Sequence, residues 1–397
     1  MLKFRLATFN VENLFSRPRL FAAGDDAGAA NALKSAAMLQ RLLDAKVYNT
    51  AEILRVWNEG ALASYVTVRC DRVNVPDARS QRFFFYERDG DELSPVVSVN
   101  SAIRGRADWV GGLEVHGETL SGAQVQAIGK VIRRVDADVI GLCEVEDRRT
   151  LEAFNVQVLG RKYPYCMLIE GNDERGIDVG ILSKHPIVSL RSNASTVDTA
   201  EKTRRDGTTP RLFNRDCLET VIELPGGKGR MAVLVTHLKS KRGTAEMEAD
   251  TDAKRIRQAE EIARILKARY AKDGKPHRVA VVGDLNEVPN RAGANGAALG
   301  GRQSSVDALL VDSGLSNVIG ETLGVEKAFS HIDERGGRVS KGQIDYVLLS
   351  PDLKAAAVSC GIDRSGQALW GPQAVPRSAA ASDHAALFVD LDLEKLS

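Results

Sequence analysis

The chain predicts an α/β or α+β sandwich, because short buried strands alternate with amphipathic helices along its 397 residues. Leu6–Phe9, Val139–Cys143, Met231–Thr236, Val279–Val282 and Ile344–Leu349 are apolar runs rich in Val, Ile and Leu, as a covered sheet requires. In Ser121–Asp136, Val125, Ile128, Ile132 and Val135 recur at helical spacing, with Ser121 and Gln124 placed as a capping box. Thr251–Ala271 carries Ile256, Ala259, Ala263, Leu266 and Tyr270 on one stripe, and Asp273-Gly274 is placed to stop it.

The composition, 43% hydrophobic and 27% charged, supplies a large core. A formal net charge of +1 gives no global field for polyanions, so a nucleic acid would have to be gripped by a local patch. The first residues run straight into a strand-like segment without the apolar core of a signal peptide. No stretch approaches the roughly 18 apolar residues of a membrane span. Five scattered cysteines (Cys70, Cys143, Cys166, Cys217, Cys360) form no CxxC and read as reduced thiols in a cytoplasmic protein, without a metal role. Ser16–Asp108 reads as an insertion on one main domain. It starts Ala/Gly-rich, holds a helix from Asn31 to about Ala45, turns strand-like at Arg82–Tyr86 with Trp109–Val115 beyond, and carries no chemical motif.

Polar residues recur just past the strand ends. Val279–Val282 delivers Gly283-Asp284-Leu285-Asn286, in which period-two geometry would let a carboxylate and a neutral amide address one substrate. Asp and Asn after a strand are also ordinary turn residues. Ser382-Asp383-His384 precedes the strand-like Ala385–Leu391, and Asp345 sits in an otherwise apolar strand. A buried carboxylate needs a partner, and pairing Asp345 with His384 would meet that need while fixing the imidazole tautomer. Glu144 follows Val139–Cys143 and is the best candidate for a hard-cation ligand, with Asp383 a second and Glu12 a weaker contributor. Glu146 and Asp147 read as a solvated acidic loop. Asn10 and Glu12 share a face by the period-two argument. His237 stands beyond another core strand with Lys239 and Lys241, and taken singly it reads equally as a structural histidine.

In order, the segments TFNVENLF, DVIGLCEVED, RGIDVGILSKHPI, VTHLKSK, VVGDLNEVP, GQIDYVLLS and SDHAAL resemble the endonuclease/exonuclease/phosphatase superfamily. The resemblance spans most of residues 1–16 and 110–392. It implies a deoxyribonuclease I-like four-layer sandwich, two mixed β-sheets face to face with helices on both outer sides. It also implies Mg²⁺ or Mn²⁺ at Glu144 with Asn10 and Glu12 nearby, and Asp383 completing the metal or phosphate site. Asp284 would orient or deprotonate the attacking water, Asn286 would contact the phosphate, and Asp345 would orient His384. His237 matches the first histidine of the deoxyribonuclease and sphingomyelinase branches, with Asp178 near its acidic support. Abasic-site endonucleases lack that histidine.

The expected activity is metal-dependent hydrolysis of phosphodiesters, with DNA or RNA as the first substrate class. His237, Lys239, Lys241 and the basic segment Lys202–Arg215, ending in Arg215 with Phe213 among its cations, favour it. Such a run also reads as a solvated loop. Inositol phosphates, phospholipid head groups or nucleotides are the second class, and a non-catalytic binding protein on the same fold is the third.

Overall fold

The computed structural model describes residues 2–15, 26–60, 62, 65–73, 86–89, 92–95, 103–115, 122–201, 203, 207–241, 245–288, 304–335, 338–368 and 379–396. They fall into two compact units, Met1–Phe15 with Leu120–Ser397, and Ser16–Thr119.

In the larger unit the strands form two mixed six-stranded sheets. The first runs Ala357–Asp363, Ala386–Asp392, Lys3–Leu14, Val139–Val145, Asp178–Ser183, Tyr165–Leu168. The second runs Ser316–Asn317, Asp345–Leu349, Val279–Asp284, Arg230–His237, Cys217–Glu223, Ile187–Arg191. Each has one parallel pair at its centre, Lys3–Leu14 with Val139–Val145 and Arg230–His237 with Val279–Asp284, and antiparallel neighbours outward. Parallel pairing brings C-terminal strand ends side by side, so His237 pairs with Asp284 and Asn10 with Cys143.

Side-chain alternation builds the layers. Phe4, Leu6, Val139, Val179 and Ile181 of the first sheet meet Leu218, Val233, Val235, Ala280, Val282, Val347 and Leu349 of the second in one buried cluster. The opposite parity faces helices. Ala7, Phe9, Ile140 and Leu142 meet Ile128, Val131 and Ile132 of helix Ala123–Val135 and Leu151 and Phe154 of helix Arg148–Gln157. Val279, Val281, Leu234 and Leu348 meet Ala259, Ile262, Ile265 and Leu266 of helix Ala245–Arg269. The result is a helix–sheet–sheet–helix sandwich. Among the described residues no helix is long and apolar enough to cross a membrane.

Three local readings change. Helix Ala123–Val135 has Gly122 as its N-cap, and Gln124 donates to the Glu12 carbonyl at 3.0 Å instead of closing a capping box, while Ser121 lies outside the described residues. Helix Ala245–Arg269 ends before Asp273-Gly274, which forms the turn of the small hairpin Ala271–Lys272/Lys275–Pro276 with both φ values positive. Asp147 caps helix Arg148–Gln157 by accepting the Thr150 N–H at 2.7 Å, so it is a structural cap rather than part of a solvated acidic loop.

The smaller unit has its own core of Leu39, Leu43, Ile53, Val56, Trp57, Val66, Val68 and Trp109. Helices Asp26–Leu43 and Thr50–Glu59 supply part of it, the second capped by Asn49. Strand Trp109–Val115 pairs with Val66–Val73, so this unit extends past the Asp108 expected from sequence, to Thr119. Of the expected strand Arg82–Tyr86, residues 82–85 lie outside the described ones, and Tyr86 begins strand Tyr86–Asp89.

Gly141 faces the inter-sheet layer, where an added Cβ would stand 2.7 Å from Val282 Cγ2 and 3.0 Å from Val235 Cγ1. The close approach of the sheets there requires a residue without a side chain. Gly141→Val is therefore expected to cost about 3 kcal/mol of stability, read as a lower urea midpoint; an unchanged midpoint would show that the sheets can part without penalty.

Candidate active site

The inward-facing parity of four strands ends in a polar residue at the same edge of the sandwich. Leu6 and Thr8 lead to Asn10, Val233 and Val235 to His237, and Ala280 and Val282 to Asp284; Leu349 and Val347 lead back to Asp345. Asp345 opens its strand and pairs directly with Asp284. Strand Ala386–Asp392 runs antiparallel to Lys3–Leu14, so the residues before it, Ser382-Asp383-His384, return to the Asn10 end. Ser382 Oγ donates to the Asn10 carbonyl at 2.7 Å and accepts the His384 N–H at 3.0 Å.

His384 Nδ1 lies 2.7 Å from Asp345 Oδ2, both groups buried. This fixes the ring so that Nε2 faces Asp284 Oδ2 at 4.0 Å and Asp383 Oδ1 at 3.7 Å. Asp284 Oδ2 accepts from Asn10 Nδ2 at 3.1 Å and lies 3.4 Å from His237 Nε2. Burial pushes the Asp284 carboxyl up to about 7; Asp345 adds to the rise, and His384 and the Asn286 N–H oppose it. Burial works against a charged His384, but Asp345, Asp284 and Asp383 together outweigh it and raise the imidazole well above its ordinary value. Asp178 is pushed up to about 6, again by burial first, and its Oδ1 accepts the Gly171 N–H at 2.7 Å.

Glu12, Glu144 and Asn286 all have left-handed φ, at 49°, 67° and 53°. The two glutamates lie at β-bulges in the ladders around Lys3–Leu14 and Val139–Val145. The period-two reasoning for Asn10/Glu12 and Asp284/Asn286 thus fails on geometry. Short Asx turns replace it: Asn10 Oδ1 accepts the Glu12 N–H at 3.1 Å and Asp284 Oδ1 the Asn286 N–H at 2.7 Å. The bends still direct the side chains to the site. Glu12 Oε2 accepts the Asp383 N–H at 2.9 Å, and Glu144 Oε1 accepts from Asn10 Nδ2 at 3.4 Å. Asn286 Nδ2 donates to the Leu238 carbonyl at 3.1 Å, which ties the loop after His237 to the loop after Asp284.

Arg215 is not a surface phosphate contact. It is 1% exposed, and its guanidinium donates to the Leu238 carbonyl at 2.8 Å and meets Asp173 at 3.3 Å. Phe213 is fully buried beneath the second sheet and offers no face for a base. Lys202, Arg204 and Arg205 of the same segment lie outside the described residues. Lys239 is half-buried and depressed by burial and by Arg215, whereas Lys241 is exposed and paired with Glu287. Cys143 and Cys217 are free, buried thiols pushed well up by burial.

One residue of the cluster escaped sequence reading. His331 opens a hairpin strand, His331–Arg335, forms a main-chain bridge with His384, and holds its ring 4.6 Å from the His384 ring. A lone histidine after Phe329-Ser330 carries no pattern; only the return of the hairpin beside Asp383 reveals it.

The sandwich gathers carboxylates, imidazoles and an amide at one edge. The model of the endonuclease/exonuclease/phosphatase family matches residues 115–384. The chain belongs to that family and is by class a phosphoesterase. Among solved structures it is similar to truncated Caenorhabditis elegans TDP2 (16% identity, 69% of this chain and 90% of that one, TM-score 0.43). It is also similar to the 3′ phosphatase NExo from Neisseria bound to a product DNA hairpin (15%, 67% and 93%, TM-score 0.44). A third is sphingomyelinase C from Streptomyces griseocarneus (18%, 68% and 92%, TM-score 0.42). No curated protein sequence matches.

The raised Asp284 has a consequence for stability. Its carboxyl ionises near pH 4 when unfolded, so between about pH 4 and pH 7 the native state holds a proton that the unfolded chain has lost, and stability falls as pH rises. In metal-free protein, Asp284→Asn should raise the melting temperature at neutral and alkaline pH, with the gain gone below about pH 4. A lower melting temperature at neutral pH would contradict the buried-charge account.

Proposed function

We propose that the chain hydrolyses phosphodiester bonds of DNA or RNA with Mg²⁺ or Mn²⁺ as cofactor. The observation that carries this reading is the buried Asp284 carboxylate set between His237 Nε2 at 3.4 Å and Asn10 Nδ2 at 3.1 Å, with His384 Nε2 beyond at 4.0 Å. A carboxyl raised to about 7 is matched to taking a proton from water near neutral pH. His384, kept charged by Asp345, offers a proton and a positive charge to the phosphate on the other side. His237 supplies a second imidazole, with Asp178 as its proposed support. Asn286 uses one amide hydrogen on Leu238 and has a second for a phosphate oxygen.

The donor set suits a hard cation. Glu144 presents a half-buried carboxylate whose one side-chain hydrogen bond among the described residues is the 3.4 Å contact from Asn10, and Mg²⁺ characteristically takes one or two protein carboxylates and keeps its waters. Glu144 would hold the ion, with Asn10, Glu12 and Asp383 around it. When bound, the ion would neutralise phosphate charge and stabilise the leaving oxygen. Lys239 and Lys241 are the proposed backbone contacts, and Arg215 positions the loop that carries them.

A small phosphorylated substrate or lipid head group is the second reading, favoured by the burial of Phe213, which removes the stacking face a single strand would use. One panel separates the two: plasmid DNA, single-stranded DNA, RNA, an abasic duplex and a phosphoinositide, each with Mg²⁺ and with EDTA. Turnover on a nucleic acid that disappears in EDTA, returns with Mg²⁺ and falls about 10²–10⁴-fold in Asp284→Ala is the expected result. Full activity in EDTA would overturn metal dependence, and turnover of the phosphoinositide alone would overturn the nuclease assignment. Nucleic-acid binding should also weaken steeply with salt; salt-independent affinity would exclude Lys239 and Lys241 as backbone contacts.

A further inference from the structure

We infer that Arg255 is a positioning residue of the phosphoester centre, fixing the loop after His237 against the loop after Asp284 from the helix that covers them. The inference rests on the placing of that centre at the His237–Asp284 edge, and not on which phosphoester is cleaved. Along helix Ala245–Arg269 the buried stripe is apolar at Ala259, Ile262, Ile265 and Leu266. Toward the N-terminus it becomes polar: Arg255 and Gln258, three residues apart and so on one face, are both 0% exposed, while Ile256 is only half-buried. Hydropathy alone would bury the isoleucine and expose the arginine.

The contacts of these two side chains account for the reversal. Arg255 Nη1 donates to the Lys239 carbonyl at 2.8 Å, and Gln258 Oε1 accepts the Lys239 N–H at 2.9 Å. The helix thus holds both main-chain groups of the residue two beyond His237. The same guanidinium donates to Glu287 Oε2, from Nη2 at 3.0 Å and from Nε at 3.3 Å. Asp252 also pairs with Arg255, and Lys241 pairs with the other oxygen of Glu287, so two cations meet two carboxylates. Residues 238–241 and 285–288 are both irregular, and no sheet ladder spaces them. The Leu238 N–H donates to the Asp284 carbonyl at 2.9 Å, and Asn286 Nδ2 donates to the Leu238 carbonyl at 3.1 Å. Arg255 adds a further tie one residue beyond, from Lys239 to Glu287. A planar guanidinium can donate to both partners at once, which a lysine ammonium on a flexible stem cannot reproduce. An apolar side chain of similar size would cost less to bury. The arginine's contribution is therefore the spacing of the two loops rather than stability.

Arg255→Lys in the full chain keeps the charge and loses the span. Hydrogen exchange read by mass spectrometry needs no substrate. Residues 238–241 and 285–288 are expected to exchange together at least about tenfold faster, with Val139–Val145 unchanged. Glu287→Ala unties the same bridge from its other end and should give the same pattern. On Mg²⁺-supported hydrolysis of bis(p-nitrophenyl) phosphate, Arg255→Lys should lower kcat about tenfold or more and leave KM within about threefold. Adding it to Asn286→Ala should change kcat by less than about threefold, because it acts through the loop that Asn286 occupies. Arg257→Lys, which alters the ion pairs with Asp198 and Glu201 on another face of the helix, should leave exchange and turnover at wild-type values. Unchanged exchange in the two loops, faster exchange throughout the chain, or multiplying losses with Asn286→Ala would each overturn the inference. The exchange result stands whether or not the wild-type chain cleaves nucleic acid, so a failed nuclease assignment is read separately.

Discussion

Asp345 is fully buried between two apolar sheets, and the His384 imidazole 2.7 Å away is what makes its charge tolerable there. The pair does more than neutralise a carboxylate. Asp345 belongs to the second sheet and His384 to the approach of a first-sheet strand, so the ion pair ties the sheets together at the edge that carries the candidate site. It also sets the electrostatics of its neighbour. With Asp345 beside it in the ladder, Asp284 is harder to ionise than burial alone would make it, and the charged His384 keeps that rise in bounds.

The same edge is where side-chain parity changes character. Along Lys3–Leu14, Arg230–His237 and Val279–Asp284 the inward positions are small or apolar until the last one, and that last one is Asn10, His237 or Asp284. Gly141 allows the sheets to come close just behind them. The floor of the site is therefore a continuation of the buried core, where a polar interaction is screened less than in open water. Glu12 and Glu144 sit at left-handed bulges within their strands and Asn286 in a left-handed turn just past its own, which turns their side chains back over the edge.

Much of this was legible in the sequence. Buried strands followed by polar residues, the alternation with helices and the Asp345–His384 pairing all follow from apolar runs and from the penalty on an unpaired buried charge. What period-two reasoning could not show is that regular strand geometry breaks at the ends that face the candidate site: Asn10 and Asp284 accept the main-chain N–H two residues ahead and bend the chain. Arg215 looked like a surface cation because its neighbours are basic, yet it is buried by holding the Leu238 carbonyl, a long-range contact that no local pattern encodes. His331 and the core of the smaller unit were missed for a related reason: His331 reaches the cluster through its bridge to His384, and Val66–Val73 pairs with Trp109–Val115, both contacts between segments far apart in sequence.

The central claim is that Asp345 and His384 act as one unit. A double-mutant cycle on Mg²⁺-supported hydrolysis of bis(p-nitrophenyl) phosphate, with Asp345→Ala, His384→Ala and the double variant, tests it most directly. If the claim holds, each single change lowers kcat by about 10²-fold or more, and adding Asp345→Ala to His384→Ala changes it by less than about threefold. Independent, multiplying losses, or a fully active Asp345→Ala beside an inactive His384→Ala, would contradict it.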